Sequence, residues 1–197
     1  MRRVVLASKS AARRQVLTGA GVDFDVVVGD VDESVLKNEI TRRGGGPREV
    51  ALALSQEKAR VVSARTPGLV IGADQALDLF GRLIDKAETV AEARARLLEM
   101  RGKVHLLHSG VALAENGEIV WSRTETAVMV VRPFSDAWLD AYLAEVGDKV
   151  LSSVGCYQLE GLGVQLFERI EGDFFTILGL PLLPLLEELR RRGALVA

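Results

Sequence analysis

An α/β fold is what this sequence predicts. Apolar runs of strand length alternate with amphipathic helical stretches from Arg3 to Ala64. The run Leu69-Val70-Ile71-Gly72-Ala73-Asp74-Gln75-Ala76-Leu77 is apolar enough for a buried strand. Val104 to Ala114 and Glu118 to Val131 are two long β segments joined at Asn116-Gly117, a strong hairpin signal. The 197 residues suffice for one large domain or two small lobes with a real core. Apolar content of 48% and charged content of 26% are those of a globular protein.

Arg3 to Ala7 reads as a short strand. Ser8-Lys9-Ser10 leads into a helix from about Ala11 to Ala20, with Ser10 as its N-cap. Arg13 precedes Val16 and Leu17 by three and four residues, so it points with the apolar stripe. A strand, two hydroxyls and a helix N-terminus form a ready anion site that Arg13 would complete. A capped helix with a snorkelling Arg is the plainer alternative. Asp23 to Val28 reads as a second strand, ending in the acidic Gly29-Asp30-Val31-Asp32-Glu33-Ser34. Such a cluster can hold a hard divalent cation, or can be an exposed turn, the commoner case. Gly44-Gly45-Gly46 is expected to be a mobile loop; it lacks the spacing and Lys-Ser/Thr ending of a P-loop.

Pro47 opens a helix to about Ala64 with Val50, Leu54, Val61 and Val62 as its stripe. Lys58, four residues after Leu54, falls on that stripe and needs an anionic partner or a cleft. Asp74 follows a glycine and an alanine that leave room for a close approach to the backbone. It sits either at a strand end facing a cleft or in a buried ion pair. Asp78 to Ile84 looks like a hairpin that delivers Asp85-Lys86, a second candidate for phosphate contact.

Thr89-Val90-Ala91-Glu92 is a capping box for a helix ending before Gly102. His105 and His108, three apart on a strand, point to opposite faces, which argues against a two-His metal site. Ser135 caps a helix to Val146 with Trp138, Leu139, Tyr142 and Leu143 inward, as core. Glycines and acids between apolar runs from Gly155 to Pro181 suggest a cleft-lining loop region. A Leu-rich helix from about Pro181 to Arg192 follows. Cys156 reads as a buried, inert thiol.

The net charge of −2 and pI ≈ 5.8 argue against stable nucleic-acid binding or attachment to an anionic membrane. One cysteine excludes an internal disulfide and fits a reducing compartment. The apolar run at the start is too short for a signal peptide, and no run reaches transmembrane length. A cytoplasmic protein is therefore expected.

Taken together, these pieces resemble the Maf (septum formation inhibitor) family of nucleoside triphosphate pyrophosphatases. The resemblance is carried by Leu6-Ala7-Ser8-Lys9-Ser10 with Arg13 and Leu17, Asp32-Glu33, Lys58-Ala59, Gly72-Ala73-Asp74 and Lys86. It continues with Arg101-Gly102-Lys103, His105, Ser109-Gly110, Gly155, Tyr157, Glu171-Gly172-Asp173 and Gly179-Leu180-Pro181-Leu182. It spans essentially the whole length, so residues 1–197 are expected to be a single domain of this type. The resemblance implies a mixed central sheet in two lobes around a cleft, similar to that of inosine triphosphate pyrophosphatases. It implies hydrolysis of a nucleoside triphosphate to the monophosphate and pyrophosphate, with a divalent cation, Mg²⁺ foremost and Mn²⁺ or Co²⁺ as alternatives. Asp74 would be the catalytic base. Ser8, Arg13, Glu33, Lys58 and Lys86 would belong to the phosphate and metal site, with Glu33 and Asp74 as metal ligands. A homodimer is what the resemblance suggests.

Some positions depart from the dTTP/UTP-type pattern of that family. Ala11-Ala12-Arg13 stands where that pattern has Pro-Arg-Arg, Gln75 where it has Thr, Glu160 where it has Gln, and Ala87 where it has Pro. Ala12, Gln75 and Glu160 fall at positions the family uses for base selection. Glu160 would accept hydrogen bonds from a base offering donors, such as a guanine edge. A different reading, prompted by the family's name, is a non-catalytic regulator of septum formation and division arrest. A third is a relative of the inosine triphosphate pyrophosphatases, which shares the reaction class.

Overall fold

The computed structural model describes residues 2–196. Its centre is a seven-stranded mixed sheet. Strand β1 (Val4–Leu6) pairs in parallel with β2 (Asp25–Val26) and with β3 (Leu69–Leu79). The remaining pairings are antiparallel: β3 with β4 (Arg82–Ile84) and β5 (Val104–Glu115), β5 with β6 (Glu118–Val131), and β6 with β7 (Phe167–Glu171). The strand order is β2-β1-β3-β5-β6-β7, with β4 beside β3. Both hairpins turn on a pair of left-handed residues, Phe80-Gly81 (φ 57° and 80°) and Asn116-Gly117 (φ 54° and 83°). That conformation matches the right-handed twist of the flanking strands.

Helices cover the sheet: α1 (Ala11–Gly19), α2 (Glu33–Arg42), α3 (Pro47–Ser63), α4 (Val90–Met100), α5 (Asp136–Val146), α6 (Phe174–Ile177) and α7 (Leu182–Arg191). Ser10, Thr89 and Ser135 cap α1, α4 and α5 by accepting from Arg13, Glu92 and Trp138 backbone N–H groups. Each cap satisfies a donor that the first turn leaves open. Among the described residues no helix is long and apolar enough to cross a membrane.

Helix α3 lies hard against β3 and β5. A Cβ on Gly72 would sit 2.1 Å from the Ser55 carbonyl oxygen, and one on Gly110 would sit 2.4 Å from that of Ala51. The room left by Gly72 is thus taken by α3. The helix face that meets the sheet is the small-residue row Ala51, Ser55 and Ala59, all fully buried, beside Val50, Leu54 and Val62.

Two main apolar clusters give the chain its lobes. One holds Leu6, Leu17, Ile71, Leu113, Leu185 and Leu189. The other holds Leu77, Leu97, Leu107, Met129, Leu139 and Tyr142. Strands β3 and β5 run through both clusters. Asp74 and Gln75 sit where β3 passes from one to the other, which places polar groups at the seam of the lobes.

Several elements differ from expectation. The second strand is only Asp25–Val26, an exposed edge paired on one side. The acidic stretch after it opens a helix, α2, that the sequence reading lacks: Asp32 is its N-cap and accepts from the Ser34 and Val35 N–H groups. The glycine triplet is a short connector between α2 and α3. There the Gly45 N–H donates to the Ile40 carbonyl at 2.9 Å, and a Cβ would meet Ile40 and Glu49 at 2.5 Å. Strand β7 was also not foreseen; its partly charged sequence, Phe167 to Glu171, hides the alternation of a strand.

Candidate active site

A cleft of ≈ 1510 Å³ opens at the seam of the two lobes. Ser8, Ala12, Arg13, Glu33, Lys58, Asp74, Gln75, Lys86 and Glu160 all line it. Residues scattered from position 8 to position 160 are therefore brought to one surface.

The floor is built on Lys58. Four residues after Leu54 on α3, its side chain reaches past the sheet-packed face to β3. Its ammonium contacts the Asp74 carboxylate directly and lies 2.7 Å from Glu33 Oε1. One cation thus bridges two carboxylates delivered by different elements, β3 and the first turn of α2. The Lys58 and Asp74 side chains are only 18% and 13% exposed, so the ammonium neutralises charge where water screens it poorly. Burial opposes the ionised form of Glu33. The hydrogen bond and charge of Lys58, with Lys37 and Arg13, outweigh it and hold that carboxyl below its ordinary range.

Arg13 does point with its helix stripe, and it is largely committed to protein groups. Its Nε donates to the Gly179 carbonyl at 2.8 Å, and Nη1 donates to the Ala73 carbonyl at 2.8 Å and to Ser8 Oγ at 3.2 Å. Burial lowers the pKa of the guanidinium; the charges of Asp74 and Glu33 oppose that shift. The group so placed ties α1 to the residue before Asp74 and to the turn after α6. Gly179, at φ 87°, passes so close that a Cβ there would meet the guanidinium at 3.3 Å. Ser8 Oγ also accepts from the Ser10 N–H at 3.2 Å.

Gln75 is equally engaged. Its Nε2 donates toward Ser109 Oγ (3.0 Å) and the Thr176 and Ile177 carbonyls (3.1 and 3.0 Å). It holds the C-terminal end of α6 against β3 and β5. Asp173 caps α6 by accepting from the Thr176 N–H at 2.9 Å. Lys86 is exposed on the cleft wall, and Glu160 is exposed in the loop that carries Gly155 and Tyr157.

Lys37 is a cleft residue that the sequence reading missed. It sits one turn beyond Glu33 on α2, with Nζ 2.6 Å from Asp85 and 4.0 Å from Glu33. The spacing of Glu33 and Lys37 would have found it had Asp32-x-Ser34 been read as a helix N-cap. The two histidines do face opposite sides. His105 Nε2 lies 2.7 Å from the Tyr157 hydroxyl, whereas His108 lies against Thr126 and Asp78. Cys156 is buried, and burial raises its thiol pKa, which disfavours the thiolate.

The carboxylates that could hold a divalent cation are Glu33 and Asp74. Among the described residues no three metal-ligating side chains cluster. Two converging carboxylates nonetheless fit Mg²⁺, which commonly takes one or two carboxylates and completes its shell with water and phosphate oxygens. They do not suit a softer, protein-enclosed ion.

The sequence matches the family model described as Maf-like protein over residues 3–192. A nucleoside triphosphate pyrophosphatase of Caulobacter vibrioides is 57% identical over 192 residues, covering 98% of this chain and 96% of the relative. A 7-methyl-GTP pyrophosphatase of Rhizobium meliloti is 48% identical over 195 residues, covering 98% of each. Among solved structures, a dITP/XTP pyrophosphatase of Mycobacterium abscessus covers 97% of the chain and 94% of its own at 16% identity, with a TM-score of 0.41. With a family model spanning nearly its whole length and relatives matched end to end, the chain belongs to the Maf-like protein family.

Proposed function

We propose that this protein is a nucleoside triphosphate pyrophosphatase that hydrolyses its substrate to the nucleoside monophosphate and pyrophosphate. The observation that carries the reading is Lys58 bridging Asp74 and Glu33 on the floor of a cleft wide enough for a nucleotide. The names of the relatives support the same reaction.

In this scheme Asp74, with one oxygen held by Lys58, keeps the other for a water molecule. It orients that water and takes its proton as the oxygen attacks the α-phosphorus. The bond from that phosphorus to the α–β bridging oxygen breaks, and pyrophosphate leaves with the electron pair. Lys58 holds Asp74 in place. Lys86 offsets charge on the phosphate chain, and Ser8 has a hydroxyl proton to donate. Arg13 fixes the backbone on both sides of the floor through Ala73 and Gly179. Glu33 and Asp74 would hold the divalent cation, which when bound neutralises phosphate charge and lowers the pKa of its water.

For the base, the reading favours guanine-type nucleotides, including 7-methylguanine. Glu160 offers an acceptor at the cleft edge where a guanine ring presents donors. Gln75 commits its amide nitrogen to the Thr176 and Ile177 carbonyls of α6. A panel of canonical, methylated and deaminated triphosphates with Mg²⁺, assayed for pyrophosphate release, tests the whole proposal. Wild type should release pyrophosphate, Asp74→Asn should lose at least about a hundredfold, and Glu160→Gln should change the order of preferred bases. Undiminished turnover in Asp74→Asn removes the mechanism. No turnover of any member by wild type would favour a non-catalytic regulator.

A further inference from the structure

The charges of the cleft leave a question about the phosphate chain. A nucleoside triphosphate brings several negative charges. Lys58 is already shared by two carboxylates. Arg13 has given Nε and Nη1 to two carbonyls and a hydroxyl. The cleft wall adds more acids, Asp30, Asp32 and Asp85 among them. Further cations on the cleft wall would help to offset the phosphate charge.

We propose that Lys37, on α2, is a further substrate-binding residue that contacts the pyrophosphate portion of the substrate together with Lys86. The inference rests on the pyrophosphatase reading above. Lys37 Nζ lies in the cleft, 2.6 Å from Asp85, the chain neighbour of Lys86. The two lysines thus come from opposite elements to one stretch of wall. The Lys37 side chain is 26% exposed, which leaves it a face toward the cleft, while Asp85 is 67% exposed. An ion pair so exposed on one side is worth little and is readily exchanged for a phosphate oxygen of higher charge. The position of Lys37 four residues after Glu33 means that one helical turn presents a carboxylate and, beside it, an ammonium. Asp85 is then the resident anion that the phosphate displaces.

The test measures binding of inorganic pyrophosphate and of the nucleoside monophosphate, by calorimetry and as product inhibition, with turnover alongside. Lys37→Met should weaken pyrophosphate binding by about tenfold to about a hundredfold, the loss of one charge-assisted hydrogen bond, and raise KM. Monophosphate binding should be unchanged, and Lys37→Arg should recover most of the loss. Asp85→Asn, which removes the competing anion, should tighten pyrophosphate binding. This variant decides the matter even if Lys37→Met does not fold. Unchanged or weaker binding in Asp85→Asn would mean that Asp85 does not compete with phosphate for Lys37, and would overturn the proposal. So would a Lys37→Met protein that binds pyrophosphate like wild type, or one that changes only the pH profile of kcat. Wild-type protein that turns over no triphosphate would instead remove the pyrophosphatase reading, a result distinct from either.

Discussion

Acid should destabilise this protein through His105 in particular. The residue is 1% exposed on β5, between the Tyr157 hydroxyl and the Phe167 ring. Its Nδ1 has no hydrogen-bond partner. Burial alone pushes its pKa from 6.5 down to about 4. A group whose folded pKa is depressed stabilises the fold above its unfolded value, and that stability is lost as pH falls through the folded one. The difference between 6.5 and about 4 corresponds to about 3 kcal/mol, lost between those two values. His105→Gln can still offer Tyr157 a hydrogen bond but takes up no proton. It should be the less stable protein at neutral pH, with a flatter pH dependence by about 3 kcal/mol. Carboxylates such as Glu33, whose pKa is lowered in the fold, lose stability in acid in both proteins, so the difference isolates the imidazole. Urea unfolding of both chains from about pH 7 down to about pH 4 measures it. Parallel stability curves would refute the reasoning and mean that the ring gains a proton without leaving its site. The consequence reaches the cleft, because the Tyr157 bound to this ring lines it.

Replacing Lys58 with Met should leave two unneutralised carboxylates on the cleft floor. Pyrophosphate release should fall by at least about a hundredfold, and the acid limb of the pH–rate profile should move up as Glu33 loses its main cation; an unshifted limb would contradict the assignment. Gly110→Ala should cost about 1–3 kcal/mol or more, since its Cβ would meet backbone atoms of α3 at 2.4 Å. Gly19→Ala, with nothing within 4 Å, should be close to neutral in the same thermal-unfolding comparison. Stripping divalent cations with a chelator should abolish turnover, and Mg²⁺ should restore it; full activity without divalent cations would remove Glu33 and Asp74 as ligands.

Much of the candidate site was legible because its signals are local. Lys58 on an apolar stripe, Asp74 inside an apolar run and Arg13 on the inward face of α1 each break a pattern at one position. Burying a charge is costly, so such breaks mark places where a partner must exist. Strands flanked by Asn116-Gly117 and helices opened by Ser10, Thr89 and Ser135 were likewise legible, since turns and caps are set by neighbours in the chain. Helix α2 was not, because only one of its residues, Ile40, is fully buried and its acidic start reads equally as a turn. Strand β7 was hidden for a similar reason: three of its five residues are exposed.

Patterning, caps and motifs along the chain establish an α/β protein with isolated inward charges and a set of family motifs. Which of those charges meet is settled by the packing of whole elements. That Lys58 holds Asp74 and Glu33 at once, and that Arg13 is spent on the Ala73 and Gly179 carbonyls, depends on residues far apart in the chain. So does the use of Gly72 to admit α3, whose Ser55 carbonyl oxygen would lie 2.1 Å from a Cβ there. Local propensity acts over a few residues, whereas the partner of a buried charge is chosen by how whole elements pack, and that choice is made only when the lobes close around β3 and β5.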